Sequence, residues 1–221
     1  MSKYKDKIKK LPRVTLDEIS KVCRGMLPSE FQSHPWDLPY GDKNFAKIFD
    51  QEDQLNGYAA AYTNWHKGKL RIAFDHMPTD TFVGEIAVID WACGQGLATI
   101  FLHEYLEEKG YNCRIKEVIL VEPSEKALDR AKFNIEAIDG KIKVSTVNKK
   151  LDEVIDFDIK LFEKRKVVHI FSNIFDIKGI SLKHITENLL VNLSKDNYII
   201  CVSPYYQQVE SRYNTFLQYF Q

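Results

Sequence analysis

The sequence predicts an α/β fold: a doubly wound, mainly parallel sheet carrying an N-terminal helical extension. Two observations support this. From residue 86 onward, short apolar runs alternate with stretches whose apolar residues recur every three to four positions. That is the pattern of strands buried on both faces, separated by helices that cover them. The first run, residues 86–90, also ends on an acid, Asp90, and passes through Gly94-Gln95-Gly96 into an amphipathic stretch. A strand that delivers a carboxylate to a glycine turn at a helix start gathers an acid and unpaired backbone N–H groups around one cleft.

The elements follow in order. Residues 97–109 carry apolar side chains at 97, 98, 101, 102, 105 and 106, a helical stripe that stops at Gly110. Residues 118–121 form a second strand, ended by Glu122-Pro123-Ser124. Ser124 suits an N-cap, and Leu128, Ala131, Ile135 and Ile138 continue one helix face. Residues 141–147 alternate as a third strand, and 167–171 form a fourth that ends in Ser172-Asn173. Ser181 caps a helix with Leu182, Ile185, Leu189, Leu190 and Leu193 inward, and residues 198–202 form a fifth strand. In such sheets ligands bind beyond the carboxyl ends of the strands near the switch in strand order. Asp90, Glu122, the 147–148 region and Ser172-Asn173 are therefore expected to converge.

Residues 1–85 have another character and are taken as a helical extension or lid, with 86–221 as the ligand-binding domain. Residues 14–26 and 54–74 read as helices, joined by a turn-rich stretch with Pro28, Pro35, Pro39 and Gly41. Tyr58, Tyr62, Trp65 and His66 share one helical face. Core or lid packing accounts for them, and the sequence supplies His66 with no partner for a role as base.

Composition sets limits. Hydrophobic content of 44% with 28% charged residues is that of an ordinary globular chain. Thirty-one basic residues balance thirty-one acidic ones, so no overall field recruits nucleic acid or anionic lipid. Lys3, Lys5, Lys7, Lys9 and Lys10 form a local basic run, read as a solvated, frayed end. Cys23, Cys93, Cys113 and Cys201 show no metal or redox spacing, which suggests a reducing compartment and a cytoplasmic location. Cys93 lies inside the glycine turn, where a packed side chain is the reading preferred over a catalytic thiol. No metal site is expected. No run approaches the ~18 apolar residues of a membrane span, so no membrane partner is expected.

Residues 88–96, Val-Ile-Asp-Trp-Ala-Cys-Gly-Gln-Gly, and residues 118–124, Val-Ile-Leu-Val-Glu-Pro-Ser, resemble the first two motifs of class I S-adenosylmethionine-dependent methyltransferases. The resemblance covers about residues 86–206. It implies S-adenosylmethionine as cofactor and a Rossmann-like sheet. Gly94 and Gly96 would let the backbone approach the methionine portion, with Ala92 and Leu97 beside them. Asp90 would orient the cofactor's amino group, and Glu122, followed by Pro123, would bind both ribose hydroxyls. Asn148 would border the adenine, and Ser172 and Asn173 would face the reactive methyl. A nicotinamide dinucleotide fingerprint fits less well. Thr99 stands where its third glycine belongs, and Glu122 lies 28 residues after Gly94 rather than ~20.

Two departures matter. Ser172-Asn173-Ile174-Phe175 lacks the prolines of the Asn-Pro-Pro-Tyr loop, so Asn173 either accepts a hydrogen bond from a target amine or caps the turn beyond the strand. About 18 residues follow the fifth strand, too few for the family's last two strands. The sheet is then either reduced or continued by a missing segment or a partner chain at the fifth-strand edge. The aromatic ending, Tyr205, Tyr206, Tyr213, Phe216, Tyr219 and Phe220, is expected to pack against something. The expected function is methyl transfer to a substrate the sequence does not identify. The alternative is a non-catalytic methyltransferase-like module of a larger assembly.

Overall fold

The computed structural model describes residues 3–37, 48–155, 159, 166–177, 179–190, 196–204 and 207–219. Helices α1 (Lys3–Ile8), α2 (Leu16–Arg24), α3 (Ser29–Gln32) and the long α4 (Glu52–Asp75) precede the sheet. Then come β1 (Gly84–Trp91), α5 (Leu97–Glu108), β2 (Cys113–Val121), α6 (Glu125–Ile138) and β3 (Lys143–Val147). The chain continues with β4 (Lys166–Ser172), the short α7 (Leu182–His184) running into a wider turn at Ile185–Leu190, β5 (Asn197–Val202) and α8 (Gln207–Gln218).

Among the described residues the sheet has five strands in the order β3-β2-β1-β4-β5, every neighbouring pair parallel. The strand order reverses between β1 and β4, which puts the crevice where Asp90, Glu122 and Asn173 stand. The fold is therefore Rossmann-like.

Period-two alternation sorts the central strand. Ile86 and Val88 face the core built with α1, α2, α4, α5 and α6; Ala87, Ile89 and Trp91 face the core built with Phe175, Leu182, Val209 and Phe216. The helices before the sheet thus share a core with it. Strand β2 begins five residues earlier than its apolar run, because Arg114 and Lys116 alternate outward and Lys116 pairs with Glu85 on β1 (3.2 Å). The two N-caps read from the sequence, Ser124 and Ser181, hold, and Thr15 adds a third. Thr15, Ser124 and Ser181 accept the backbone N–H groups of Glu18, Ala127 and His184.

Two expectations are corrected. The lysine run is not a frayed end. It forms α1, with Tyr4 and Ile8 buried, the Tyr4 hydroxyl bonded to Asn134 (2.8 Å) and Lys5 paired with Asp129. Tyr4 and Ile8, one helical turn apart, supply the anchor that the charges conceal. Trp65 does not share the buried face of α4, being 74% exposed while Tyr58, Tyr62 and His66 contact one another in series. At the carboxyl terminus Tyr213 stacks on Phe175 (centroids 4.5 Å apart) and Phe216 meets both Phe171 and Phe175. Tyr205, Tyr206 and Phe220, like Pro39, Gly41 and Leu193, lie outside the described residues.

Candidate functional site

Asp90 lies next to the end of β1 and points with Ile86 and Val88 toward α5. Its carboxylate is buried and accepts the Thr99 hydroxyl of α5 at 2.7 Å. Burial pushes its pKa up to about 7, the Thr99 hydrogen bonds oppose the rise, and the nearby Glu122 charge adds to it. Glu122 follows β2 directly. One of its oxygens accepts the backbone N–H of Gly94 (3.0 Å) and the other that of Ser124 (2.9 Å). Burial raises its pKa, and these two N–H groups resist the rise.

Between the carboxylates the chain turns through three left-handed residues, Ala92 (φ 50°), Gly94 (φ 53°) and Gly96 (φ 75°). Cys93 N–H bonds Val121 C=O (2.9 Å) and Gly96 N–H bonds Cys93 C=O (2.8 Å), which ties the turn to β2 and closes it. The two glycines do different work. A Cβ on Gly94 would meet nothing within 4 Å, so open space lies beside this backbone. A Cβ on Gly96 would stand 3.2 Å from the Ala131 Cβ. Its direction is toward α6, and its absence lets helix and turn pack closely. Leu97 opens α5 and is buried. Asn148, just beyond β3, donates to the carbonyls of Glu122 (2.9 Å) and Pro123 (3.0 Å), which brings the 122–123 and 148 segments together.

The other wall is made by β4 and α4. Among the described residues Ala92 and Asn173 are the two non-glycine residues with positive φ, and they terminate the adjacent strands β1 and β4. Backbone strain of this kind concentrates at functional sites. Asn173 (φ 58°) bonds two side chains of α4: its amide reaches His66 Nδ1 at 2.7 Å, and Lys69 donates to its oxygen. His66 Nε2 lies 2.9 Å from the Tyr58 hydroxyl. His66 therefore has the partners that the sequence did not supply. Burial, then the Lys69 charge, lowers its pKa to about 3 and keeps the ring neutral. Ser172 sits at the end of β4, its hydroxyl 3.5 Å from the Asn173 amide.

A buried hub supports the glycine turn. Arg130 of α6 is 3% exposed and donates to Asn56 (2.9 Å) and Gln95 (3.0 Å). It also pairs with Glu52 and lies over the Tyr4 ring (3.9 Å). Gln95 in turn donates to Leu55 C=O (2.9 Å). Thus α4 and α6 hold the central residue of the Gly-Gln-Gly turn, and Tyr4 of α1 backs Arg130. Sequence reasoning missed Arg130, Thr99 and Lys69. For Lys69 a signal existed, since it follows His66 by three positions on the same helix. Cys93 is buried, with its thiol raised well above the usual range by burial and by the Asp90 and Glu122 charges, which suits packing and not nucleophilic chemistry. Among the described residues no His/Cys/Asp/Glu group could hold a metal, and no helix is long and apolar enough to cross a membrane.

No family model matches the chain, and no curated protein matches it. Solved structures similar to it include methyltransferases. A protein from Clostridium thermocellum assigned as an rRNA methylase shares 20% identity over 68% of this chain and 79% of its own, with a TM-score of 0.46. Geranyl diphosphate C-methyltransferase of Streptomyces coelicolor, solved with Mg2+, a substrate analogue and S-adenosylhomocysteine, shares 15% over 84% of this chain (TM-score 0.39). A chain in the Haloferax volcanii complex of the Trm112 methyltransferase activator with its methyltransferase shares 18% over 58% (TM-score 0.35). This chain spans 60% and 50% of the length of the last two. Identities and scores this low leave the case to the chain's own strand order and side chains. Those define a Rossmann-like fold with an acid at the end of each of its first two strands.

Proposed function

We propose that this chain binds S-adenosylmethionine and transfers its methyl group to a substrate held between α4 and the end of β4. The observation that carries the reading is the pair of carboxylates, Asp90 and Glu122, flanking the open backbone of Gly94. Each Glu122 oxygen spends one acceptor position on a backbone N–H and keeps another, so the carboxylate suits two neighbouring hydroxyls. Asp90, whose burial raises its pKa to about 7 and leaves it only partly ionised near neutral pH, would ionise fully beside a cationic amino group. Ala92, Gly94, Gly96 and Leu97 would frame the methionine portion, with Pro123 and Asn148 beside the adenine. Bound there, the cofactor would supply an electrophilic methyl on sulfur; the protein's task is alignment.

In this reading residues 86–221 hold the cofactor and residues 1–85 build the substrate wall. The test is calorimetric titration of the purified chain with S-adenosylmethionine and S-adenosylhomocysteine, with NAD as control. Micromolar binding of the first two alone supports the assignment. Absence of binding, or equal binding of NAD, overturns it.

A further inference from the structure

We propose that the lysine stripe of α1 is a docking surface for a single strand of nucleic acid, held through its phosphates and without regard to base sequence. The inference goes beyond the methyl-transfer reading and does not need it.

The stripe exists because α1 is anchored. Tyr4 and Ile8 are buried in the core, and Lys5 is tied to Asp129 of α6. Helical winding continues past the end of α1, since Lys9 N–H reaches Lys5 C=O (3.0 Å) and Lys10 N–H reaches Lys7 C=O (3.2 Å). Lys3, Lys7 and Lys10 therefore stand at i, i+4 and i+7, along one flank of the helix. Segment 3–13 holds six basic residues and one acid, Asp6. Asp129 and Glu107 neutralise Lys5 and Arg13, which leaves a surplus of three positive charges on the segment. Among the described residues Lys3, Lys7 and Lys10 have no carboxylate partner. The neutrality of the whole chain does not cancel this surplus, because salt limits the reach of each charge to about 8–10 Å.

Burial of the apolar residues decides the partner. A helix that lies on a membrane offers an apolar face to the lipid, and that of α1 is spent on the protein's own core. A protein partner seeks an aromatic or aliphatic centre from which lysine is depleted, and the Lys3–Lys7–Lys10 flank supplies none. Nucleic-acid strands bind without sequence preference almost entirely through neutralised phosphates, which is what the flank offers. From Lys3 to Lys10 the chain rises about 10 Å, close to the rise of roughly three stacked nucleotides. Lysine, a point charge on a flexible stem, suits phosphates whose positions shift along a strand.

The untagged full chain is titrated by fluorescence anisotropy into labelled oligouridine and oligodeoxythymidine of about 20 nucleotides, at about 20 to 200 mM KCl. Both strands should bind alike, with a slope of log affinity against log salt of about −2, as three phosphate contacts require. The combined variant Lys3→Gln, Lys7→Gln, Lys10→Gln should lose most of that slope and bind at least about tenfold more weakly at low salt. The corresponding triple arginine variant keeps the charge and should keep the binding. A control, Lys109→Gln, Lys116→Gln, Lys183→Gln, removes the same charge from lysines already paired with Asp75, Glu85 and Glu187, and should bind as wild type does. Absence of wild-type binding at the lowest salt, or equal weakening in the control, overturns the proposal. Tighter binding of polyglutamate or of phosphatidylserine vesicles than of oligouridine, at equal charge concentration, overturns the choice of nucleic acid. Failure of S-adenosylmethionine to bind by calorimetry would leave these slopes as found, so the two readings fail separately.

Discussion

The Glu122 carboxylate accepts the Gly94 backbone N–H at 3.0 Å across 28 positions of sequence, which joins the acid at the end of β2 to the turn at the end of β1. Two features that the sequence shows separately are one structural unit. A ligand that uses the carboxylate also senses the shape of the turn.

Glu122→Gln should therefore have two effects. Loss of the charge weakens S-adenosylmethionine binding by about 1.5–3 kcal/mol, a factor of roughly 10 to 150. The new NH2 group must face one of two N–H donors, Gly94 or Ser124, and this lowers stability by about 1 kcal/mol. Calorimetry and urea denaturation read the two effects separately. Unchanged affinity would remove Glu122 from the ribose site.

The glycines should divide by function. Gly96→Ala forces a methyl toward Ala131 at 3.2 Å in a left-handed residue, and about 1–3 kcal/mol of stability is lost. Gly94→Ala adds a methyl in open space, so its stability cost is about 1 kcal/mol from backbone conformation alone. Its larger effect falls on cofactor affinity, because the methyl occupies the approach to the backbone. Equal affinity losses in both variants would contradict this division.

These contrasts show what the sequence could and could not reveal. Asp90, Glu122 and Ser124 were legible because strand ends and helix caps are written in contiguous residues. The parallel pairing of the strands followed from the alternation of elements. The Lys69–Asn173 and Arg130–Gln95 contacts join residues 104 and 35 positions apart, and no local pattern encodes such pairings. The packing of Gly96 against Ala131 was hidden for a related reason: a glycine's motif position does not say which way its missing Cβ would point. The buried anchor of α1 was hidden because five lysines surround Tyr4 and Ile8.

Arg130 provides a test of the support behind the turn. Arg130→Met removes the donors to Asn56 and Gln95 and leaves these buried amides short of a partner. A loss of about 3–5 kcal/mol is expected, as for a broken buried charge network. Arg130→Lys keeps the charge but has no planar fork to reach Asn56, Gln95 and Glu52 together, so it should recover less than half of that loss. Thermal denaturation gives the order wild type, Lys, Met. A lysine variant as stable as wild type would show that charge, and not the fork, holds the hub.

Asp90 sets stability against function. Its folded pKa of about 7 lies above the ordinary 3.8, so the folded chain holds a proton that the unfolded chain releases between those values. Its contribution to stability is present below the unfolded value and is lost as pH rises through the folded one. Asp90→Asn cannot ionise and should escape that loss. Relative to wild type it should gain roughly 1–3 kcal/mol at about pH 8 and differ little at about pH 4. The same variant should bind S-adenosylmethionine more weakly, since no carboxylate remains for the amino group. Binding to the wild type near neutral pH should release a proton as Asp90 ionises, visible as an enthalpy that varies with the ionisation enthalpy of the buffer. In Asp90→Asn this variation should vanish. Its persistence would place the released proton elsewhere and take Asp90 out of contact with the ligand.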